Sequence, residues 1–148
     1  THNYSKVYAS VDAYFNDLNK VGKMVKGLIG FVPKYIRFPG GGSNMVSKKY
    51  TPGIMSVLVS EVQNRGYQYY DWNASTGDAN GNNIAVHKLV KEATSSHAHN
   101  IMILAHDTKA KSTTVQALPK IIEYYQGLGY TFKGIDDNSY APHHKVNN

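Results

Sequence analysis

The stretch Ile101-Met102-Ile103-Leu104-Ala105 constrains this chain more than any other: five apolar residues in a row end in His106 and Asp107. An unbroken apolar run of that length reads as a strand buried on both faces, the mark of a parallel sheet. Parallel strands need long crossovers, so helices must alternate with them. The carboxyl end of such a strand is where open α/β folds and barrels carry their chemistry. His106 is therefore either a titratable group held rigidly beside a cleft or a residue that only caps the strand.

The rest of the sequence supplies the alternation. Ser10 fits an N-cap, and Val11, Phe15, Leu18, Val21 and Val25 repeat at helical spacing. Gly22 interrupts that stripe, and Gly27, Gly30 and Pro33 end it. Tyr35 to Phe38 reads as a short strand, followed by the tight loop Pro39-Gly40-Gly41-Gly42-Ser43-Asn44. Pro52 suits the first turn of a helix through Ile54, Leu58 and Val62 that stops at Gly66. Tyr67 to Trp72 reads as one strand, residues 73–83 as a polar loop, and Ile84 to Thr94 as an amphipathic helix. Beyond the central run, Val115, Leu118, Ile121, Ile122 and Tyr125 mark a further helix, with Pro119 in its first turn or kinking it. Gly127 and Gly129 end it, Tyr130 to Phe132 reads as a last strand, and residues 138–148 carry little pattern. Strand starts recur about every thirty residues, the size of a βα unit. The expectation is an α/β fold with parallel strands and right-handed crossovers. Four strands are too few to close a barrel and match half of one.

Composition narrows the function. At 148 residues and 41% hydrophobic, the chain can bury a real core. No apolar run is long enough to cross a bilayer. The lack of cysteine excludes disulfides, thiolate metal sites and a cysteine nucleophile. A net charge of +6 favours anionic partners, but the lysines are thinly spread and no nucleic-acid motif accompanies them. A solvated basic surface is expected, with no nucleic-acid partner. Twelve tyrosines and one tryptophan suit sugar stacking or core filling. The chain opens on Thr1-His2 without Met, and upstream polypeptide is expected.

Three strand ends carry unusual residues: Arg37 with Pro39-Gly40-Gly41, Asp71-Trp72, and His106-Asp107. In a parallel sheet these ends share one edge, so a cation, a carboxylate, an aromatic ring and an imidazole can converge. Singly, each has a plainer explanation: a surface arginine, a turn, a loop-capping aspartate, a core tryptophan. Together they suit hydrolysis of an acyl group. An imidazole beside a carboxylate is more readily held charged, as a general acid must be. N–H groups of a glycine loop can face an oxyanion, and tryptophan can wall a sugar ring. Phosphoryl transfer fits less well, since no Gly-Lys-Ser phosphate loop is present.

Arg37-Phe38-Pro39-Gly40-Gly41, Asp71-Trp72 and Ile103-Leu104-Ala105-His106-Asp107 resemble, in order and spacing, three motifs of the polysaccharide deacetylases. These are the third, fourth and fifth motifs of the NodB-homology domains, carbohydrate esterase family four. The resemblance runs over essentially the whole chain and is closest to the peptidoglycan N-acetylglucosamine deacetylase branch, the tail Ala141 to Asn148 included. It implies a distorted (β/α) barrel whose N-terminal strands are missing here, with residues 1–148 the C-terminal portion of a single deacetylase domain. It implies metal-dependent removal of N-acetyl groups from N-acetylglucosamine units of a cell-wall polysaccharide, peptidoglycan first and chitin or xylan after it. The place implied is the cell surface or the outside of the cell. By resemblance His106 is the general acid, Asp71 tunes it, and Arg37 orients a catalytic-base aspartate. The Gly40 N–H, where many members carry tyrosine, shares the oxyanion with the metal. Pro39 and Trp72 shape the groove, and Leu104 meets the acetate methyl.

The sequence departs from the family at its start. The first motif, Thr-Phe-Asp-Asp, is absent, and Thr1-His2 matches only the last two residues of the second, His-Ser/Thr-x-x-His. His2 would be one ligand of a divalent metal, zinc or cobalt by resemblance, whereas a catalytic ion takes about three protein ligands. The base aspartate and the other ligands are expected from a missing N-terminal segment, and the chain alone is expected to be inactive. The alternative is a non-catalytic carbohydrate-binding domain that keeps Trp72 and the tyrosines.

Overall fold

The computed structural model describes all 148 residues. They form two units, Thr1–Asp71 with His143–Asn148, and Trp72–Pro142.

The first unit opens with a short helix, α1 (Tyr4–Val7), and a long one, α2 (Val11–Ile29). The ends of α2 are set locally, as the sequence predicts. Ser10 Oγ accepts the Ala13 N–H at 3.0 Å, and Gly30 ends the helix in the left-handed conformation with φ 87°. Phe15 is buried, but Val21 is 41% exposed, so the buried stripe is narrower than its spacing suggests. Gly22 lies inside the helix because Val32 packs on it: a Cβ there would sit 3.1 Å from Val32 Cγ1.

The chain continues through β1 (Tyr35–Ile36), a 3₁₀ turn (Ser47–Lys49), α3 (Ile54–Asn64) and β2 (Gln68–Tyr69). The two strands pair in parallel, Tyr35 opposite Gln68 and Ile36 opposite Tyr69. Pro52 precedes α3 rather than opening it, because the left-handed Gly53 (φ 79°) intervenes. The first N–H groups of α3 are satisfied by the far end of the chain. Asn148 Oδ1 accepts from the Gly53 N–H at 2.7 Å, and the Asn148 carbonyl accepts from the Ser56 N–H at 2.8 Å. The patternless tail is thus a helix cap. Phe15, Phe38, Met55, Leu58, Val62 and Tyr69 form the core between α2, α3 and the strands, each full burial contributing about 1.5–3 kcal/mol.

The second unit runs β3 (Ala74–Ser75), a 3₁₀ turn (Asp78–Asn80), α4 (Val86–Ala93), β4 (Ile103–Leu104), a 3₁₀ turn (Lys109–Lys111) and α5 (Ser112–Gly127). β3 and β4 are parallel, with Ala74 opposite Ile103 and Ser75 opposite Leu104. Asn73 extends the pairing with its side chain, accepting the Met102 N–H at 2.8 Å and donating to the Asn100 carbonyl at 2.8 Å. Leu89 and Ala93 of α4 meet Ala117, Ile121 and Tyr125 of α5, with Ile101 and Ile103 packed against them.

The result is a mixed α/β fold with parallel pairing, and the strands differ from the expected ones. Tyr67 to Trp72 is not one strand: it pairs with β1 at Gln68–Tyr69, and a separate strand, β3, lies beside β4. The central apolar run is half-buried at 101–104 and exposed at Ala105, because β4 pairs along one edge only. Tyr130 to Phe132 is not a strand. Tyr130 instead packs edge-on against Tyr125, its hydroxyl bonded to the Ala98 carbonyl at 2.9 Å. Of the two places open to Pro119, it takes the interior of α5 and not the first turn.

Candidate active site

Because β3 and β4 run parallel, their carboxyl ends point the same way. His106 lies just beyond β4 and Asp78 just beyond β3, and their side chains meet. Asp78 Oδ1 is 2.8 Å from His106 Nδ1. Asp78 Oδ2 accepts the His106 backbone N–H at 2.7 Å and the Thr114 hydroxyl at 3.0 Å. The carboxylate side chain is 1% exposed and the imidazole 30%. Burial pushes the Asp78 carboxyl up. The hydrogen bonds from the His106 ring, the His106 backbone and Thr114, with the imidazole charge, outweigh it and hold the carboxyl below the ordinary aspartate value. An ionised carboxylate only accepts, so Nδ1 carries the hydrogen and Nε2 is the nitrogen left to face a substrate.

The carboxylate on His106 is therefore Asp78, where the sequence pointed to Asp71. In sequence Tyr67 to Trp72 reads as one strand whose end lies beside that of the central run, but Gln68–Tyr69 pairs with β1 instead. The strand actually beside β4 ends at Ser75. Asp78 follows Gly77 in a polar turn, where an aspartate passes for a loop cap; its only signal was its position after a strand end.

Asp71 serves the first unit. It is 2% exposed; Oδ1 accepts the Gly42 N–H at 2.7 Å and Oδ2 the His144 N–H at 2.8 Å. It thereby fixes the glycine loop. The Gly41 N–H donates to the Phe38 carbonyl at 2.8 Å, closing a turn with Pro39 second and the left-handed Gly40 (φ 78°) third, the type II pattern. The N–H of Gly40 is not used by that turn bond. At Gly42 there is no room for a side chain, since a Cβ would lie 2.8 Å from Asp71 Oδ2. The Tyr8 hydroxyl donates to the Pro39 carbonyl at 2.7 Å. Burial, and then the neighbouring Tyr4 phenol, push the Tyr8 phenol up, so it remains a donor. A Cβ on Gly40 would lie 2.8 Å from the Tyr4 hydroxyl, so Tyr4 occupies the space that a side chain at position 40 would need.

His2, Arg37 and Pro39 line one groove of the first unit together with Leu18, Val25 and Ile36. Within the second unit Trp72 and Leu104 are half-buried, Leu104 at the end of β4. No group of three or more His, Cys, Asp or Glu side chains could hold a metal ion. His2 therefore lacks the companions that a catalytic divalent ion requires, and the donors of these 148 residues do not fit one.

No family model matches the chain. Its fold and sequence are nevertheless close to solved structures. The catalytic domain of peptidoglycan N-acetylglucosamine deacetylase from Eubacterium rectale ATCC 33656 is 42% identical and superposes with a TM-score of 0.93 over 99% of this chain and 67% of that one. The polysaccharide deacetylase Bc1974 from Bacillus cereus is 26% identical, with a TM-score of 0.78 over 97% of this chain and 66% of that one. Among curated proteins, YheN of Bacillus subtilis (strain 168), whose name places it with the polysaccharide deacetylases, is 23% identical over 97% of this chain. The chain spans about half, 49%, of that relative's length.

Proposed function

The chain belongs to the polysaccharide deacetylases of carbohydrate esterase family four, and on that premise we propose that it hydrolyses N-acetyl groups on N-acetylglucosamine units of a cell-wall polysaccharide. Peptidoglycan is the first substrate, after the Eubacterium rectale relative. Acetylated xylan is a second candidate, with an O-acetyl ester in place of the amide and a sugar hydroxyl as the group that His106 protonates; a bifunctional xylanase/deacetylase of Pseudobutyrivibrio xylanivorans is 32% identical over 96 residues, 61% of this chain and 15% of that relative. Chitin-like polymers present the same amide. With such substrates, the cell surface or the outside of the cell is part of the same proposal.

The observation that carries the reading is the His106–Asp78 pair. An amide nitrogen leaves only after it gains a proton. His106 supplies that proton from Nε2 as the C–N bond breaks, and the oxygen of the attacking water stays on the acetyl carbon as acetate. Asp78 holds Nδ1–H and stabilises the charged ring before transfer. In the first unit the Gly40 N–H is the oxyanion donor that the resemblance implies, in a loop held by Asp71, Tyr8 and the tail. The resemblance assigns Arg37 to orienting the base and Pro39 to the sugar groove in the first unit, and Trp72 to the sugar groove and Leu104 to the acetyl methyl in the second.

The divalent metal that the resemblance implies, zinc or cobalt, needs ligands beyond those of this chain. His2 would supply one. The catalytic-base aspartate, the other ligands and the strands that complete a (β/α) barrel come from polypeptide outside these 148 residues.

His106→Asn in the full-length protein should lower kcat by ~10²–10⁴-fold on an N-acetylglucosamine oligomer, with KM and metal content nearly unchanged. Loss of metal would make His106 a ligand and sink the acid role. Undiminished oligomer binding with no acetate release from the unaltered protein would favour the carbohydrate-binding alternative.

A further inference from the structure

The turn that carries Asp78 is held at its entry, where Ser75 Oγ accepts the Gly77 N–H at 3.0 Å and Thr76 Oγ1 the Asp78 N–H at 3.3 Å, and less firmly towards its exit. Gly77 is left-handed (φ 74°), and Asn83, a little further on, has a φ of 52°. Within the turn, Asn80 N–H reaches the Gly77 carbonyl at 3.1 Å, and Gly81 N–H reaches the Asp78 carbonyl only at 3.4 Å. Glycine-rich backbone loses much entropy when it is ordered, so the exit of such a turn gains from an outside anchor. Lys111 provides one. From the 3₁₀ turn before α5 its Nζ donates to the Asp78 carbonyl and, at 2.6 Å, to the Gly81 carbonyl. The lysine is half-buried, and a charged donor makes the stronger kind of hydrogen bond.

We propose that Lys111 is a positioning residue for His106, acting through Asp78. Its ammonium pins the main chain on both sides of the turn. Thr114 separately fixes one carboxylate oxygen. With the main chain pinned, Oδ1 stays on Nδ1, the imidazole keeps a single tautomer, and Nε2 keeps its aim at the leaving nitrogen. The catalytic consequence rests on His106 being the general acid; the tautomer does not, and the two are read separately.

The test uses the full-length protein with ¹⁵N-labelled histidine, the His106 ring signals being assigned by their loss in His106→Asn. At a pH where the ring is neutral, the unaltered protein should show a pure Nδ1–H tautomer. Lys111→Met keeps the aliphatic stem and removes the donors. It should move the His106 ring shifts to those of a mixture of tautomers and lower kcat on the order of 10- to 100-fold at unchanged KM. Lys111→Arg, which restores two N–H donors, should recover the single tautomer. Lys111→Met with unaltered ring shifts would overturn the proposal. If no variant has deacetylase activity, the proposed function falls, while the ring shifts still decide the role of Lys111.

Discussion

Asp78 shows how a buried carboxylate is kept ionised by its donors. Burial alone would raise its pKa, and the bonds from His106 and Thr114 bring it below the ordinary value. A native pKa below the unfolded one, about 3.9 for aspartate, contributes stability that is complete above that value. It is lost as pH falls through the native pKa. Thr114→Val removes one lowering bond with little change of shape, so the native value should rise toward the unfolded one. The acid-unfolding midpoint should then move to higher pH; a midpoint that stays put would show that Thr114 does not hold the carboxylate. Asp71 and Asp78 look alike in sequence, each closing a stretch that can be read as strand or loop. Only their partners separate them, one bonding a glycine loop and the tail, the other an imidazole.

At the scale of elements, two glycines make opposite predictions. Gly42 sits where a Cβ would press on Asp71 Oδ2, and that carboxylate is buried and held by two N–H groups, so it has nowhere to go. Gly42→Ala should cost about 1–3 kcal/mol. Gly27 lies in α2 with nothing within 4 Å of an added Cβ, and Gly27→Ala should stabilise by about 0.4–1 kcal/mol. Thermal melts of both variants check the pair; equal shifts in one direction would defeat the argument. The helices were legible because their signals are local. Ser10, Gly30 and Gly66 act within a turn of themselves, and an apolar period of 3.6 needs no partner to be seen. The strands were less legible because a strand exists only through its neighbour. Tyr130-Thr131-Phe132 has strand composition but no pairing edge, while Ala74–Ser75 has weak composition and pairs with β4.

At the scale of the whole molecule, the donor set decides the expectation. The 148-residue chain, supplied with zinc or cobalt, should bind no stoichiometric metal and release no acetate from N-acetylglucosamine oligomers. Metal-dependent turnover by this chain would show that its own residues, with His2 among them, assemble a site after all. The sequence by itself determined the α/β class, the four longer helices and the motifs that place the chain in its family, because those rest on residue order and local propensity. It also marked His106, since a histidine ending an apolar run is visible without coordinates. The tertiary structure alone decided which aspartate His106 meets and that Asp71 braces the Pro39–Gly42 loop. It also decided that Asn148 caps α3 and that Lys111 pins the Asp78 turn. Each of those is a contact between residues far apart in the chain, set by strand register and backbone direction, which residue order does not encode locally.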